Sequence, residues 1–247
     1  MARTDFLSPR LCVDAALEES AAILLDPYQR NYLVNVLRLK DGARVLAFNG
    51  RDGEFAATLA LNGRRDAALK VGERLREQEA PADVDYLFAP LKHARLDYMA
   101  QKAVELGVKR LQPVITRRTQ VARVNLERLR ANVREAAEQC GVLWLAEVSP
   151  ERPLGAILVG WPAGRLLIFC DEDAPARNPI EALTKLSAPF GLSVLIGPEG
   201  GFDEAERAEI GRLKDAVSIN LGPRVMRADT AAVAALTLAQ ACLGDWR

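Results

Sequence analysis

The sequence predicts an α/β fold, α+β overall, in which a small β-rich domain precedes a larger domain of alternating strands and helices. Three observations support this. Up to about residue 76 the chain reads as short strands separated by turn residues, with little helix. A polar segment that contains proline, residues 77–83, comes next. Beyond residue 84, apolar runs of strand length alternate with stretches of helix length, the pattern of a sheet with helices on both faces.

The clearest local signal in the first 76 residues is a hairpin. Residues 43–48 and 54–59 are apolar enough for strands, and between them stand Asn-Gly and Asp-Gly dipeptides, which accept the positive φ of tight turns. Another Asn-Gly turn precedes a strand at 67–71. Residues 26–37 predict one short helix, capped by an aspartate that a proline follows. Several short strands with little helix favour a small barrel.

In the larger domain, strand and helix signals alternate regularly. Asn125 and Asp203 stand at N-cap positions, and Gly107 and Gly244 follow the ends of helices. Strands are predicted at 84–89, 111–115, 166–170, 193–196 and 217–221, and helices at 91–107, 125–140, 179–186, 203–213 and 230–243.

The bulk composition excludes several classes of protein. Hydrophobic residues make up 49% and charged residues 27% of the chain, values typical of a soluble globular protein. No apolar run approaches the ~20 residues of a membrane span. The N-terminal residues lack the apolar core of a signal peptide. We therefore expect a cytoplasmic protein without a membrane partner.

The number and positions of the cysteines and of the histidine exclude several kinds of catalytic and metal site. The four cysteines are scattered without a C-x-x-C pair or a histidine cluster, so neither a disulfide framework nor a metal site is expected. A Ser-His-Asp or Cys-His hydrolase would depend on the single histidine, His93. We expect the chemistry to rest on carboxylates, arginines, backbone amides or a bound cofactor.

Charge is distributed unevenly, although the net charge is zero. Residues 92–134 carry eleven Lys or Arg against three Asp or Glu, a net charge of +8, whereas residues 135–247 carry ten against sixteen, a net charge of −6. A local basic face binds phosphates whatever the total charge. Residues 92–134 are therefore a candidate RNA-binding surface, with solvated helix faces as the alternative interpretation.

Two glycine-bearing segments follow predicted strands, at the place where α/β sheets bind ligands. The first, residues 195–201 (LIGPEGG), allows a tight turn that exposes backbone amides and carbonyls. It is neither a Walker A loop nor a G-x-G-x-x-G turn. The second, residues 221–231 (LGPRVMRADTA), crowds Arg224, Arg227 and Asp229 into six residues. Each alone could be a turn or a helix cap, but the pair favours a binding site.

These two segments resemble the I-G-P-E-G-G and L-G-P-R-[IV]-L-R-x-[ED]-T-[AT] motifs of the ribosomal RNA small subunit methyltransferase E family. Three further stretches resemble that family in the same order. Residues 32–42 are similar to H-[IL]-x-x-V-L-R-x-x-x-G, residues 101–113 to Q-K-x-x-E-L-G…P, and residues 135–140 to E-A-x-E-Q. The resemblance spans nearly the whole chain.

The chain departs from the family pattern at four positions. Tyr32 stands where the family usually has His, and Val142 where an Arg is typical. Met226 and Asp229 replace the usual Leu and Glu, with similar size and the same charge.

The resemblance implies the architecture and the cofactor. It implies an N-terminal PUA-like β-barrel that binds RNA (residues 1–76), a linker (77–83) and a SPOUT methyltransferase domain (84–247) whose end is threaded into a trefoil knot. It also implies a homodimer that binds S-adenosylmethionine in its knot loops, with the loop after Cys170 closing the pocket. The cofactor-binding residues that it implies are Leu195, Ile196, Gly197, Gly200, Gly201, Leu221, Gly222, Pro223, Val225 and Met226.

The implied activity is methylation of N3 of a specific uridine in 16S rRNA of the small ribosomal subunit. N3 of neutral uridine loses a proton to become nucleophilic, so a carboxylate could accept it and an arginine could stabilise the charge on O2 and O4. We expect Arg227 to stabilise that charge and Asp229 or Glu199 to act as the acid–base residue. Alternatively, Glu199 braces its own loop, Asp229 caps the last helix and Arg227 pairs with a carboxylate.

Basic residues in both domains are expected to hold the RNA through its phosphates, which supply affinity but little sequence choice. The target base has to leave its stack to enter the pocket. The expected RNA-binding residues are Arg38, Lys40, Lys92, Arg95, Arg117, Arg118, Arg123 and Arg130.

Two other functions compete with this hypothesis. One is a SPOUT methyltransferase that acts on transfer RNA or on a ribose 2′-hydroxyl, which analysis of modified nucleosides would distinguish. The other is a non-catalytic RNA-binding module of ribosome assembly, which would bind RNA without a cofactor. An enzyme acting on nucleotide phosphates is disfavoured because no lysine follows the glycine-rich segment as in a phosphate-binding loop.

Overall fold

The computed structural model describes residues 5, 7–63, 66–121, 123–175, 178–186 and 191–246. The chain divides into two compact units, one of residues 1–80 and 137–145, and the other of residues 81–136 and 146–247. In the described part of the chain, no helix has both the length and the apolar character needed to cross a membrane.

The first unit is built on a five-stranded sheet with the order β1-β3-β4-β5-β2. The predicted hairpin is confirmed, since β3 and β4 pair antiparallel from Arg44 opposite Thr58 to Phe48 opposite Glu54. The strands β1 and β2 were not predicted, because three residues are too short to show an alternating pattern. The strands are β1 (Arg10–Cys12), β2 (Ala22–Leu24), β3 (Arg44–Phe48), β4 (Glu54–Asn62) and β5 (Asp66–Arg76).

The predicted helix of the first unit is confirmed at its start and differs at its end. Asp26 accepts a hydrogen bond of 2.8 Å from the Gln29 backbone N–H, and the Gln29 side chain accepts one of 3.1 Å from the Asp26 N–H. This capping box starts α1 (Pro27–Asn31). The next five residues, Tyr32–Val36, form a π-helical turn, in which the Leu37 N–H donates to the Tyr32 carbonyl.

Residues 137–145 belong to the first unit although they are distant from it in sequence. The Cys12 N–H donates to Glu138 Oε1 at 2.8 Å, and Arg76 Nη1 donates to the Gly141 carbonyl at 2.9 Å. Tyr32, which replaces the usual histidine of the family, receives a hydrogen bond of 3.4 Å on its hydroxyl from Gln139 Nε2. Long-range contacts of this kind carry no local sequence signal.

The second unit contains a parallel sheet of seven strands with the order β12-β10-β11-β6-β7-β8, and β9 pairs with β7. The five strands predicted there are confirmed. The strands β8 and β9, two residues each, were not predicted. The strands are β6 (Val84–Phe88), β7 (Arg110–Ile115), β8 (Glu147–Val148), β9 (Arg152–Pro153), β10 (Leu166–Cys170), β11 (Leu192–Ile196) and β12 (Ala216–Ile219).

Five of the six remaining helices follow the predictions, while α4 was not predicted. Helix α2 begins two residues later than expected, and α7 begins two residues earlier, so Asp229 lies in its first turn and Arg227 occupies the N-cap position. The helices are α2 (His93–Glu105), α3 (Leu126–Cys140), α4 (Leu154–Val159), α5 (Pro179–Thr184), α6 (Glu204–Ile210) and α7 (Ala228–Leu243).

Alternating side chains of the parallel strands face two different helical layers. Leu87, Phe169 and Leu195 pack in one apolar cluster with side chains of α4 and α6. Tyr86, the residue before Leu87, is fully buried on the other face and donates its hydroxyl proton to Met99 Sδ of α2. Because successive residues of a strand point to opposite faces, the predicted layering with helices on both sides is confirmed.

The four cysteines all lie in the described part of the chain and form no disulfide. Cys12, Cys170 and Cys242 are buried, and burial raises the pKa of the Cys170 thiol far above its usual value. The side chain of His93, on which a hydrolase would depend, lies outside the described part of the structure.

Candidate active site

The carboxyl ends of β12, β10 and β11, which are neighbours in the sheet, lie beside a cavity of about 760 Å³, here called the main cavity. Its walls are the three loops that follow these strands. They contribute residues 171–172 after β10, residues 197–201 after β11 and residues 220–227 after β12. The strand ends Cys170 and Ile196, together with Arg95, Ala228 and Ala231 of the helices, complete the lining. The two glycine-bearing segments of the sequence therefore meet around one concave site.

Nine of the ten residues expected to bind a cofactor line the main cavity. The exception is Leu195, which is fully buried and packs with Phe169 and Phe202 in the core. The alternation of side chains along β11 explains this, because Ile196 and Leu195 point to opposite faces of the strand. The nine lining residues are Ile196, Gly197, Gly200, Gly201, Leu221, Gly222, Pro223, Val225 and Met226.

The loop after β11 requires glycine for steric reasons. Gly201 has a φ of +68°, which favours glycine, and its N–H donates to the Pro198 carbonyl at 2.9 Å; a Cβ there would push aside the end of the flexible Glu172 side chain. A Cβ on Gly197 would collide with the buried ring of Phe202. The backbone of this loop is thus close-packed on one side while it faces the main cavity on the other.

The loop after β10 is held by a single arginine. Arg207 of α6 forms ion pairs with three consecutive carboxylates: Asp171 at 3.1 Å, Glu172 at 3.3 Å and Asp173 at 2.7 Å. Asp171 is buried, and Asp171 and Glu172 line the main cavity. The loop after Cys170, which was expected to close the pocket, thus forms part of its lining.

The loop after β12 is tied to the loop after β10 through Asn220. The side-chain amide of Asn220 donates to the Glu172 carbonyl at 2.9 Å, and its Oδ1 accepts from the Gly222 N–H at 2.8 Å. Asn220 was not among the residues expected from the sequence. Its position directly before Leu221-Gly222-Pro223 is a turn signal that could have indicated it.

The three residues expected to act in catalysis are placed differently. Arg227 and Glu199 are exposed side chains that line the main cavity. Asp229 is half-buried in the first turn of α7, where its Oδ1 accepts from the Thr230 N–H at 2.9 Å, and it is outside the cavity lining. Glu199 forms an ion pair with Arg95 of α2.

Three of the eight basic residues expected to bind RNA meet at a second cleft of about 340 Å³, here called the side cleft. They are Lys92, Arg95 and Arg118. The side cleft is lined by these residues together with Pro90, Leu91, Gln120, Val121, Pro198 and Glu199.

The other five expected RNA-binding residues do not line either cavity. Arg117 pairs with Asp203 at 3.0 Å, and Arg123 and Arg130 are exposed elsewhere in the second unit. Arg38 and Lys40 are exposed in the first unit.

Asp203 itself caps α6 and accepts the Glu206 N–H at 2.8 Å. This hydrogen bond, followed by those of Arg117, holds the pKa of Asp203 below its usual value.

Comparison with known families assigns both parts of the chain. Residues 78–240 match the family described as RNA methyltransferase domain, and residues 25–75 match the RNA methyltransferase PUA domain. The chain is thus an RNA methyltransferase with an N-terminal PUA-like sheet and a C-terminal parallel-sheet domain of the SPOUT type.

Individual relatives narrow this assignment. The ribosomal RNA small subunit methyltransferase E of Rickettsia conorii is 30% identical over 92% of this chain and 93% of its own length. A Neisseria gonorrhoeae structure of that name, bound to S-adenosyl methionine, superposes with a TM-score of 0.85 at 26% identity, covering 97% of this chain and 100% of the other. A putative methyltransferase from Legionella pneumophila, in complex with the same cofactor, gives 0.82 at 25% identity, covering 95% and 97%. The chain belongs to the ribosomal RNA small subunit methyltransferase E family.

Proposed function

We propose that this protein transfers a methyl group from S-adenosylmethionine to N3 of a specific uridine in 16S rRNA of the small ribosomal subunit. The observation that carries the proposal is the main cavity. In a chain of this family, the two glycine-bearing loops and the loop after β10 meet around one concave site of about 760 Å³. That volume lies within the range of small-molecule sites, ~300–1,000 Å³.

The residues of the main cavity fit S-adenosylmethionine. Apolar side chains of Ile196, Leu221 and Met226 can contact the adenine ring, and the backbone of the glycine-bearing loops can bond to its edge. The Gly222 Cα faces open space, with no atom within 4 Å of where a Cβ would lie, so a ligand can approach the backbone there. The cofactor, when bound, supplies an electrophilic methyl group on a sulfonium centre.

The reaction forms an N3–methyl bond, breaks the sulfur–methyl bond and releases the N3 proton. We assign the guanidinium of Arg227 to stabilise the charge that develops on O2 and O4 of the uracil. Asp229 or Glu199 is assigned to accept the proton, which then passes to solvent. The placement of Glu199 on the wall of both cavities supports it over Asp229, which lies outside the lining.

The RNA is held by basic residues of both units. We assign residues 1–76 as an RNA-binding domain, with Arg38 and Lys40 on its surface, 77–83 as linker and 84–247 as the catalytic domain. In the catalytic domain, the cations of the side cleft lie next to the main cavity, where a flipped-out base has to arrive. Phosphate contacts supply affinity, while RNA shape selects the uridine.

We also propose that the protein works as a cytoplasmic homodimer, with the trefoil knot of its family. Val225 lines the main cavity and is 93% exposed, so this apolar side chain of the site is available to a second copy. Sedimentation at micromolar concentration tests the dimer, and a purely monomeric protein would overturn it.

The function is tested in two steps. Calorimetry with S-adenosylmethionine should show saturable binding, and small-subunit RNA from cells that lack the protein should lose one N3-methyluridine, which the purified protein restores. No cofactor binding, with or without RNA, would indicate a non-catalytic RNA-binding module. Methylation of transfer RNA or of a ribose 2′-hydroxyl instead would assign the protein to a different substrate.

A further inference from the structure

The order of the strands in the sheet explains the position of the side cleft. Pro90 to Lys92 follow β6, Arg118 to Val121 follow β7, and Pro198 and Glu199 follow β11. β11, β6 and β7 are parallel neighbours, so these segments leave the same edge of the sheet. The main cavity lies at β12, β10 and β11. The loop after β11 is therefore the wall that the two sites share.

The shared wall is braced from the side of the cleft. Arg118 Nη1 donates to the Gly200 carbonyl at 2.7 Å, and Arg95 forms an ion pair with Glu199. Arg95, Pro198 and Glu199 line both cavities. A ring in the side cleft would thus lie next to a ligand in the main cavity, beside the three residues that line both.

The polar groups of the side cleft are mostly hydrogen-bond donors. Lysine and arginine donate and cannot accept, so Lys92, Arg95 and Arg118 offer only donors. The carboxylate of Glu199, the one that the described lining contains, is engaged by Arg95. The Gln120 amide can donate or accept. Apolar walls from Pro90, Leu91, Val121 and Pro198 complete a cleft of about 340 Å³, at the lower end of small-ligand sites.

We propose that the side cleft binds the target uracil itself, with Lys92 and Arg118 donating hydrogen bonds to its O2 and O4 carbonyls, while Arg227 adds its positive charge from the main cavity. This inference rests on the proposed function and adds the site that selects the base. Uracil presents a carbonyl on each side of N3, which suits a cleft of donors. Cytosine presents an amino group in place of O4, and that donor would face the donors of the cleft without an acceptor.

The same contacts favour the reaction. Loss of the N3 proton, to Glu199 or to solvent, leaves negative charge on O2 and O4. Among the described side chains that line the cleft, the charged groups are three cations, Lys92, Arg95 and Arg118, and one carboxylate, Glu199. Fixed donors at these two oxygens stabilise the deprotonated ring more than the neutral one, which is the condition for catalysis rather than simple binding.

The test uses Lys92→Gln, with Lys214→Gln as its control, and Arg118→Gln, with Arg212→Gln as its control. Lys214 and Arg212 are exposed residues of the same unit that line neither cavity. Methyl transfer is measured against pH on 16S rRNA assembled into small subunits, transcribed with either uridine or 5-fluorouridine. Fluorine withdraws electrons, so N3 of 5-fluorouridine loses its proton more readily.

With uridine, each cleft variant should lose roughly 10- to 100-fold in kcat/KM at neutral pH, and its rate should rise at a higher pH than that of the unsubstituted protein. With 5-fluorouridine most of the loss should disappear. The control variants should behave as the unsubstituted protein.

S-adenosylmethionine affinity, measured by calorimetry without RNA, should change less than about threefold in Lys92→Gln, because Lys92 is outside the main cavity. Absence of cofactor binding or of methyl transfer in the unsubstituted protein would reject the proposed function itself. The proposed uracil site would be overturned if a cleft variant lost the same factor in kcat/KM on both RNAs and if its RNA binding depended less on salt, by about one phosphate contact. Lys92 and Arg118 would then be phosphate ligands. Unchanged rates would also overturn the uracil site.

Discussion

The side-chain amide of Asn220 donates a hydrogen bond of 2.9 Å to the backbone carbonyl of Glu172, and so joins the loop after β12 to the loop after β10. The Oδ1 atom of the same amide holds the Gly222 N–H. Two of the three walls of the main cavity are therefore joined by one side chain. Their relative position is part of the binding site, since a ligand that contacts both loops gains from their being held in advance.

The Asn220→Ala substitution should weaken S-adenosylmethionine binding by about tenfold. The loss corresponds to ~1–1.5 kcal/mol for the hydrogen bonds that hold the two loops. Calorimetry measures the affinity, with Asn62→Ala at the end of β4 in the first unit as the control. An unchanged affinity in Asn220→Ala would show that the loops keep their positions without this amide.

The Gly201→Ala substitution should weaken cofactor binding more than tenfold, because the new Cβ would displace the Glu172 carboxylate from the cavity wall. Gly63→Ala is the matched control, since Gly63 has a similar φ of +70° but no atom within 4 Å of its Cβ position. Both variants carry the backbone strain of an alanine at positive φ, ~1 kcal/mol. Equal cofactor affinities would contradict the role of close packing at Gly201.

The Glu199→Gln substitution should lower kcat by ~100-fold or more and flatten the pH dependence of the rate, because the amide cannot accept a proton. Asp229→Asn should have a smaller effect, since Asp229 lies outside the lining of the main cavity. Single-turnover methyl transfer at several pH values compares the two. The reverse order of effects would assign the proton to Asp229, and no effect in either variant would leave it to solvent.

Acid should destabilise the first unit partly through Asp52. Hydrogen bonds from the Leu17 N–H and from the Asn49 amide hold the pKa of Asp52 below its usual value of 3.8. A folded-state pKa below the unfolded one contributes stability above pH 3.8, and that contribution is lost as the pH falls through the folded value.

Asp52→Asn should therefore lower the melting temperature at pH 7 and reduce its fall below pH 4. Thermal unfolding followed between pH 3 and pH 7 measures both effects. Asp66→Asn removes the same charge from an exposed position of β5 and serves as the control. Parallel curves for the unsubstituted protein and Asp52→Asn at acid pH would contradict the assignment.

Local sequence signals predicted most of the regular structure. The hairpin of β3 and β4 has strong turn dipeptides, and Asp26 and Asp203 each form a capping box that the sequence displays within four residues. The differences occur where the signal is weak or nonlocal. β1, β8 and β9 contain two or three residues, and the π-helical turn at Tyr32–Val36 follows an uninterrupted helical pattern.

The candidate site was predicted in part. The two glycine-bearing segments were recognisable because glycine and proline directly after a predicted strand can be seen in the sequence alone. Asn220 and the side cleft were missed, since each depends on residues that come together only in the folded sheet. Asp229 was expected to act as the acid–base residue or, alternatively, to cap the last helix, but α7 begins at Ala228, so Asp229 lies inside the first turn and outside the lining of the main cavity.

The sequence by itself determined most of the segments that fold as strands and helices. It also determined which loops are rich in glycine, so that a ligand can approach their backbone. These properties depend on neighbours within a few residues. Only the tertiary structure decided that β11 stands between β10 and β6, and hence that its loop lines both the main cavity and the side cleft. Strand order depends on packing between segments up to about a hundred residues apart, which no local pattern of residues encodes.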